Sequence, residues 1–244
     1  MKNIGVSRKF IKLIQSIYNN ATAKIKTPTG LTEKIQIKSG VLQGESLSPS
    51  LFNIYLNDLP AELEKTQCVG ICLGNRKIHC LLFADDVVIL ATNPTNLQLK
   101  LNSLSKYVTS NGMRVNIDKT KVIIFRRGGR LRKRDKFVLN DRPVEVVSEY
   151  KYLGVIFQTT GRFARAVSEF KLKGLAATGK TLSILNKFSH ISLSSSYKLF
   201  VSLVTSTVLY ASAVWGYGNE YEVEKVQTCF FKRLYNLPNT TPSC

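Results

Sequence analysis

The chain has 244 residues, of which 44% are hydrophobic; this is ample for a packed core and excludes a chain too polar to fold. The formal net charge is +19, so the expected partner is a polyanion, with nucleic acid ahead of an anionic membrane surface. The five cysteines show no paired CxxC spacing and no secretory segment follows Met1, so we expect a reduced, intracellular protein.

The first predicted element is a helix that Ser7 caps, with its apolar residues on one face and its end at Asn19-Asn20. We expect this face to pack against another part of the protein. Residues 23–27 and 33–38 follow, and they alternate polar and apolar side chains around a Pro-Thr-Gly turn. This alternation is typical of a β-hairpin.

A second helix is predicted to begin at Ser48-Pro49, with the serine as its cap, and to end before Pro60 or within the following turn. Its predicted buried stripe consists of Leu51, Phe52, Tyr55, Leu56 and Leu59. Residues 69–73, 78–83 and 87–91 are rich in β-favouring residues. They are predicted to form a small antiparallel sheet.

A helix is expected over residues 96–110, with Gly112 as its stop. Short strands are predicted after it, at residues 113–117, 121–125, 137–139, 144–147 and 150–157. Beyond Gly161 the pattern changes to three long helices, at residues 163–188, 193–213 and 220–236. We therefore predict an α+β fold with two domains, residues 1–160 and residues 161–244.

The longest apolar stretch, residues 201–215, contains several Ser and Thr residues. It is also shorter than the roughly 18 apolar residues that a membrane span needs. It is therefore predicted to be a buried helix, and no membrane partner is expected.

Two adjacent carboxylates, Asp85 and Asp86, lie between two apolar, β-favouring runs. This pattern predicts the tight tip of a hairpin. Because neighbouring carboxylates repel each other, such a pair near a core requires cations, and a hard divalent ion with oxygen ligands, such as Mg²⁺, is the natural partner. A solvated turn without function is the alternative.

Several blocks occur in one order along the chain, and together they resemble the reverse transcriptases of non-LTR (LINE-type) retrotransposons. They are Gly40-Val41-Leu42-Gln43-Gly44, Ser48-Pro49 with Leu51-Phe52-Asn53, Asn57-Asp58-Leu59-Pro60, Phe83-Ala84-Asp85-Asp86, Asn111-Gly112 with Asn116, Lys119, Thr120 and Lys121, and Tyr150-Lys151-Tyr152-Leu153-Gly154-Val155. The resemblance extends over about residues 5–155. The helical remainder resembles the less distinctive thumb of the family.

The resemblance implies a polymerase palm, an antiparallel sheet with packed helices, followed by an all-α thumb-like region. Asp85 would be the principal metal ligand and Asp86 the weaker one, at a centre where two Mg²⁺ ions act on the attacking hydroxyl and the leaving pyrophosphate. Ala84 would let the primer terminus approach. Phe83 takes a place that tyrosine often holds, which keeps a flat packing surface.

The remaining motifs imply nucleic-acid contacts. Gln43 and Gly44 would contact template and nucleotide, although a plain hairpin stop also explains Gly44. Lys119 would protonate the leaving pyrophosphate, with a phosphate contact or a solvated surface lysine as alternatives. A primer grip would consist of Tyr152, Leu153 and Gly154, and a buried strand end is the alternative there.

A basic run over residues 121–136 is predicted to be a mobile loop. It suits contacts to the phosphate backbone, which add salt-dependent affinity without reading sequence. The candidate residues are Arg126, Arg127, Arg130, Arg132, Lys133 and Arg134. The run also suits a nuclear import signal, so we expect the nucleus rather than the cytoplasm, and a merely solvated loop is the alternative.

By resemblance, the activity is RNA-templated DNA polymerisation by two-metal nucleotidyl transfer, with an RNA template, a DNA primer and dNTPs as partners. Family members also carry fingers and a strand with a first catalytic aspartate, for which no counterpart is found before Ser7. We therefore expect a truncated chain that is inactive or crippled alone, with an unpaired edge at the aspartate hairpin. A separate fingers-bearing chain could complete it. The alternative is a non-catalytic nucleic-acid-binding remnant of a retrotransposon polymerase.

Overall fold

The computed structural model describes residues 1–128, 136–188, 190–238 and 240–242, and it mixes helices with short strands. The mixture agrees with the predicted α+β class. By their contacts, residues 1–115 and 137–142 form a first compact unit, and residues 116–136 and 143–244 form a second. Each unit has its own structure and is described by itself.

Helix α1 (Arg8–Asn19) opens the first unit as the sequence predicts. The Ser7 hydroxyl oxygen accepts a hydrogen bond from the amide of Phe10, at 3.3 Å, and so caps the helix. The expected packing of the apolar face is found only in part. Ile14 is buried, whereas Phe10 and Ile17 are more than 40% exposed.

The predicted hairpin follows as two short antiparallel ladders. They pair β1 (Thr22–Ala23) with β4 (Ile35–Gln36), and β2 (Lys26–Thr27) with β3 (Gly30–Leu31). Helix α2 (Ser48–Tyr55) then begins at Ser48, so the predicted capping role of this serine is wrong. Its side chain instead donates to the carbonyl of Leu42 and ties the preceding loop to the helix.

The second helix is also shorter than predicted. After α2 ends at Tyr55, a separate helix α3 (Leu59–Glu64) begins and takes Pro60 in its first turn, where no backbone donor is needed. Within the predicted stripe Leu56 and Leu59 are buried, but Tyr55 is 46% exposed.

Two separate hairpins replace the single sheet predicted next. One pairs β5 (Ile71–Leu73) with β6 (Arg76–Ile78), and the other pairs β7 (Cys80–Phe83) with β8 (Asp86–Ile89). The predicted strand over residues 78–83 is therefore interrupted at His79. The carbonyl of His79 accepts from the amide of Leu90, at 2.9 Å, so the chain changes its pairing partner at this residue.

Helix α4 (Pro94–Ser110) starts two residues before the prediction because Asn93 caps it, with Oδ1 accepting from the amide of Asn96 at 2.8 Å. It ends before Gly112, whose φ of 64° is the left-handed conformation expected of a helix stop. Strand β10 (Phe137–Leu139) packs on this helix. The amide of Val138 and the side chain of Gln98 are joined by a 2.9 Å hydrogen bond.

The strand predicted at residues 113–117, where the chain passes from the first unit to the second, is not formed. The carbonyl of Asn116 accepts from the amide of Thr120, at 3.0 Å, and its side chain accepts from the amide of Lys119, at 3.2 Å, so the chain turns instead. Strand β9 (Lys121–Ile123) follows and pairs in parallel with β11 (Arg142–Val147), with Glu145 opposite Lys121.

The strand predicted over residues 150–157 is a hairpin of β12 (Glu149–Tyr152) and β13 (Val155–Gln158). Leu153 and Gly154, with φ of 45° and 82°, form its turn. Two consecutive residues with positive φ reverse the chain as in a type I′ turn, so a single strand is not possible here.

The single helix predicted over residues 193–213, with its buried stretch at residues 201–215, is wrong: the left-handed Ala211 (φ 53°) interrupts it, and Val201, Leu203 and Val214 are more than 40% exposed. The rest of the second unit consists of helical segments. They are α5 (Ala164–Leu185), α6 (Leu193–Leu199), a π-helical segment (Phe200–Thr205), α7 (Ser206–Val208), α8 (Ser212–Trp215) and α9 (Glu220–Leu234). One core cluster joins α5, the π-helical segment, α7 and α9 through Leu185, Val204, Val208 and Phe230, among others. Among the described residues, no helix combines the length and apolar character needed to cross a bilayer.

A second core cluster links the β12–β13 hairpin to the helices, through Val155, Val167, Phe170 and Trp215. The rings of Phe170 and Trp215 stack with their centroids 5.0 Å apart. The predicted boundary near residues 159–161 therefore lies inside the second compact unit. The division into residues 1–160 and 161–244 concerns family regions and stays a prediction.

Candidate active site

Asp85 and Asp86 lie at the tip of the β7–β8 hairpin, as the sequence predicts. Phe83 pairs with Asp86 in the ladder, so Ala84 and Asp85 form the turn, and Ala84 has a φ of 50°. Both aspartates are exposed. The tip therefore presents two adjacent carboxylates directly to solvent.

The carboxylate pair supplies the oxygen ligands that Mg²⁺ prefers. Neither aspartate takes part in an ion pair within the part of the chain that the structure describes. The same residues contain no group of three or more His, Cys, Asp or Glu side chains that could hold a metal ion. Asp85 and Asp86 thus bring two carboxylates to one tip, and the described residues add no third carboxylate beside them.

A buried lysine, which the sequence analysis missed, closes the base of the same hairpin. The ammonium of Lys100, on α4, donates to the carbonyl of Leu90 at 2.6 Å, and Leu90 in turn donates to His79. Lys100 is fully buried, and this burial lowers its pKa. The only sequence signal was a lysine directly before Leu101 in an otherwise apolar stripe.

His79 is buried next to this lysine. Neither of its ring nitrogens has a hydrogen-bond partner among the described residues. Burial, and then the positive charge of Lys100, lower the pKa of His79. Both effects favour the neutral imidazole at the base of the hairpin.

Asp58, from another of the matched blocks, is already engaged by a tyrosine. Its carboxylate accepts from the hydroxyl of Tyr107, which also lies 3.2 Å from the carbonyl of Tyr55. Burial, followed by this hydrogen bond, raises the pKa of Tyr107. Asp58 thus has a structural contact between α3 and α4.

Gln43 and Gly44 lie exposed in the loop before α2. Gly44 has a φ of 91°, and no heavy atom lies within 4 Å of the position that a Cβ would take. A glycine is thus favoured here by the backbone conformation rather than by close packing. The predicted contact of these residues with template and nucleotide stays a prediction.

In the second unit, Lys119 lies exposed in the turn before β9. The hydroxyl of Tyr150, on β12, donates to the carbonyl of Lys119 at 3.1 Å. The bond thus connects two of the matched motifs, through residues that lie 31 positions apart in the sequence. It fixes the backbone of Lys119 and leaves its ammonium in solvent.

The predicted primer-grip residues Tyr152, Leu153 and Gly154 lie at the end of β12 and in its turn. The hydroxyl of Tyr210 donates to the carbonyl of Leu153 at 3.0 Å. A Cβ added to Gly154 would lie 3.0 Å from the Tyr210 ring. Tyr210 was missed by the sequence analysis because it follows this turn by more than 50 residues.

Of the predicted phosphate contacts, Arg126 and Arg127 are described and follow β9 in the second unit. The other candidates, Arg130, Arg132, Lys133 and Arg134, lie outside the described residues. The predicted loop over residues 121–136 is wrong at its start, where residues 121–123 form strand β9, and residues 129–135 of it lie outside the described residues.

Residues 1–157 match the model of the family described as reverse transcriptase (RNA-dependent DNA polymerase). The chain is also 31% identical over 168 residues to the "Retrovirus-related Pol polyprotein from type-1 retrotransposable element R2" of Popillia japonica. This alignment covers 66% of the chain and 24% of the relative.

Two further relatives match more of the chain at lower identity. The "RNA-directed DNA polymerase from mobile element jockey" of Drosophila funebris is 23% identical, over 95% of the chain and 25% of the relative. The "Probable RNA-directed DNA polymerase from transposon X-element" of Drosophila melanogaster is 20% identical, over 89% of the chain and 24% of the relative. The chain thus spans about a quarter of the length of these relatives. It belongs to the reverse transcriptase family, in its non-LTR retrotransposon branch.

Proposed function

We propose that this chain supplies the palm and part of the thumb of an RNA-directed DNA polymerase. The observation that carries the proposal is the exposed Asp85-Asp86 pair at a hairpin tip, inside the segment that matches the family. Residues 1–160 are assigned to the palm and residues 161–244 to the thumb-like region. The helices after Gly161 support the second assignment.

Asp85 and Asp86 are proposed to hold the catalytic Mg²⁺, with Asp85 as the principal ligand. When bound, the metal would activate the primer 3′-hydroxyl and neutralise charge on the leaving pyrophosphate. Ala84 leaves room beside the carboxylates because its side chain is a single methyl group. Phe83 is 61% exposed, which leaves a flat apolar surface next to the tip.

The other matched residues are proposed to position the substrates. Gln43 and Gly44 would contact template and incoming nucleotide from an exposed loop. The solvent-exposed ammonium of Lys119 would donate a proton to the pyrophosphate. The turn of Leu153 and Gly154, which Tyr210 holds, would grip the primer strand.

An RNA template, a DNA primer and dNTPs are the proposed substrates. The jockey and X-element relatives are named as RNA-directed DNA polymerases, the latter as probable. A net charge of +19 favours the binding of any of these polyanions. Because the described residues offer no third carboxylate beside the pair, we expect slow extension or none from the 244-residue chain by itself.

Primer extension tests the proposal. We would measure dNTP incorporation on an RNA template by the 244-residue chain, and by a jockey-type polymerase in which this sequence replaces the matching segment. The replaced polymerase is expected to extend the primer with Mg²⁺, and Asp85→Asn is expected to lower the rate by at least about a hundredfold.

The matched control is Asp141→Asn, which makes the same change of charge at another exposed turn. It should leave extension unchanged. Extension that survives Asp85→Asn would contradict the proposed role of the tip. A replaced polymerase that folds and binds template and primer but does not extend would favour a nucleic-acid-binding remnant instead.

A further inference from the structure

A shallow cavity of about 230 Å³ lies in the second unit, apart from the residues assigned above to catalysis. It is lined by Phe125, Arg126, Arg127, Thr159, Thr160 and Gly161. Backbone hydrogen bonds fix the two segments that form it. The amide of Arg126 donates to the carbonyl of Thr159 at 2.8 Å, and the amide of Thr159 donates to the carbonyl of Ser148 at 2.9 Å.

The lining is positively charged. None of the six residues carries a carboxylate, and two carry a guanidinium group. One nitrogen of Arg126, Nη1, is buried and has no hydrogen-bond partner among the described residues. Burying an N–H of a charged group without an acceptor costs free energy. A bound anion that accepts from this nitrogen would therefore stabilise the site.

The neighbouring backbone adds to this charge. Helix α5 begins at Ala164, three residues after Gly161, and has no acidic residue in its first turn. The amide of Arg165 in this turn already donates to Oε1 of Gln158 at 3.3 Å, so the helix end adds only a weak positive dipole near Gly161. Gly161 has a φ of 69°, and no heavy atom lies within 4 Å of the position that a Cβ would take there.

The one aromatic residue of the lining, Phe125, indicates that the ligand carries a base beside its phosphate. Phe125 is 59% exposed although it is apolar, and it directly precedes the two arginines. An exposed aromatic ring next to cationic groups is the arrangement with which proteins stack a base and neutralise its phosphate.

We propose that this cavity binds one phosphodiester group of a single-stranded nucleic acid, with the guanidinium of Arg126 donating to the phosphate and the adjacent base stacked on Phe125. The proposal deepens the proposed function and rests on it for the nature of the ligand. A dNTP fits less well, because its triphosphate travels with Mg²⁺ and the lining offers no carboxylate to share that metal.

Fluorescence anisotropy of a labelled single strand, of RNA and of DNA, tests the proposal without dNTPs or metal. Arg126→Gln is expected to weaken binding about tenfold at ~0.1 M salt, as the loss of a charge-assisted hydrogen bond should. It should also reduce the slope of log K against log salt by about 0.7, the value for one phosphate on a single strand. Phe125→Ala should weaken binding by a similar factor without changing the slope.

The matched control is Arg142→Gln, which removes the same charge from an exposed position on β11. It should change neither affinity nor slope beyond a small general effect of net charge. Equal losses in Arg126→Gln and Arg142→Gln would overturn the proposal, as would a wild-type chain that binds no single strand. A dNTP that binds more tightly than the single strand, and depends more on Arg126, would overturn it too.

Thermal unfolding of the unliganded chain separates binding from structure. Since Nη1 of Arg126 has no partner within the part of the chain that the structure describes, Arg126→Gln should leave the midpoint unchanged or raise it. A fall of several degrees would show a structural role for the guanidinium and count against the proposal. The anisotropy assay needs no catalysis, so its result does not depend on whether the chain extends primers. A negative binding result would likewise not contradict the proposed polymerase function.

Discussion

Two titratable side chains, His79 and Lys100, are buried at the base of the hairpin that carries the candidate metal ligands. Their positions connect the interior of the first unit with the tip: Lys100 donates to Leu90, Leu90 donates to His79, and His79 leads directly into β7. At the scale of single residues, two buried groups away from the tip therefore lie at the base of the hairpin.

The pH dependence of stability is predicted to reveal His79. Its folded-state pKa is lowered, so below about pH 6.5 the unfolded chain binds a proton that the folded chain does not. The free energy of unfolding should fall as pH falls from 7 to 5, by at most about 1.4 kcal/mol per pH unit. Urea titrations at several pH values measure this loss.

The controls for this prediction use the other histidine. His79→Gln should flatten the dependence, whereas His190→Gln, at an exposed residue, should keep it. The lowered pKa values of Glu169 and Glu222 act only below about pH 4.5, outside this window. An identical pH profile for the wild type and His79→Gln would contradict the prediction.

Truncating Lys100 should destabilise the first unit. Lys100→Ala removes a fully buried side chain and leaves the carbonyl of Leu90 without its donor, so we expect a loss of about 2–4 kcal/mol in the free energy of unfolding. Lys106→Ala, on an exposed part of the same helix, should stay within about 0.5 kcal/mol. Equal effects of the two substitutions would disprove the role assigned to Lys100.

The elements show which local signals were sufficient. Helices α1, α4, α5 and α9 were predicted to within a few residues, because caps and apolar periodicity are local properties. The strand predicted at residues 113–117 failed because Asn116 accepts from the amides of Lys119 and Thr120. The alternation of polar and apolar residues does not show that an asparagine side chain will compete with strand pairing for backbone amides.

The β12–β13 turn shows the other reason for failure. Leu153 takes a left-handed conformation that its residue type disfavours, and the contact that accompanies it comes from Tyr210 in the helical region. Both the turn and its tyrosine depend on tertiary packing. The candidate tip, by contrast, could be predicted because Asp85 and Asp86 interrupt two apolar runs.

Substituting Gly154 should cost more than the backbone strain alone. Gly154→Ala forces a left-handed alanine and brings its Cβ to 3.0 Å from the Tyr210 ring, so we expect a loss of about 2–3 kcal/mol. The control Gly112→Ala has a similar φ of 64° but open space, so about 1 kcal/mol is expected there. Thermal or urea unfolding measures both.

A double-mutant cycle checks the physical reason. If the ring contact causes the extra cost, Gly154→Ala combined with Tyr210→Ala should be less destabilising than the sum of the two single changes. Strict additivity would mean that Tyr210 does not limit the space at Gly154.

At the scale of the whole molecule, the order of motifs predicted the family, and the net charge of +19 predicted polyanionic partners. The family match over residues 1–157 confirms the first of these inferences. The compact units were not predictable, because they depend on how the β12–β13 hairpin shares a core with α5 and Trp215. The family could thus be predicted from local motifs, whereas the division into two compact units depends on tertiary packing.

The central claim is that the Asp85-Asp86 tip holds the catalytic metal, and local cleavage by bound iron tests it most directly. Fe²⁺ in place of Mg²⁺, with ascorbate and peroxide, should cut the backbone around residues 83–87. Excess Mg²⁺ and Asp85→Asn should both suppress this cut, whereas Asp141→Asn should not. Cleavage that is absent, lies elsewhere in the chain, or persists in Asp85→Asn would contradict the claim.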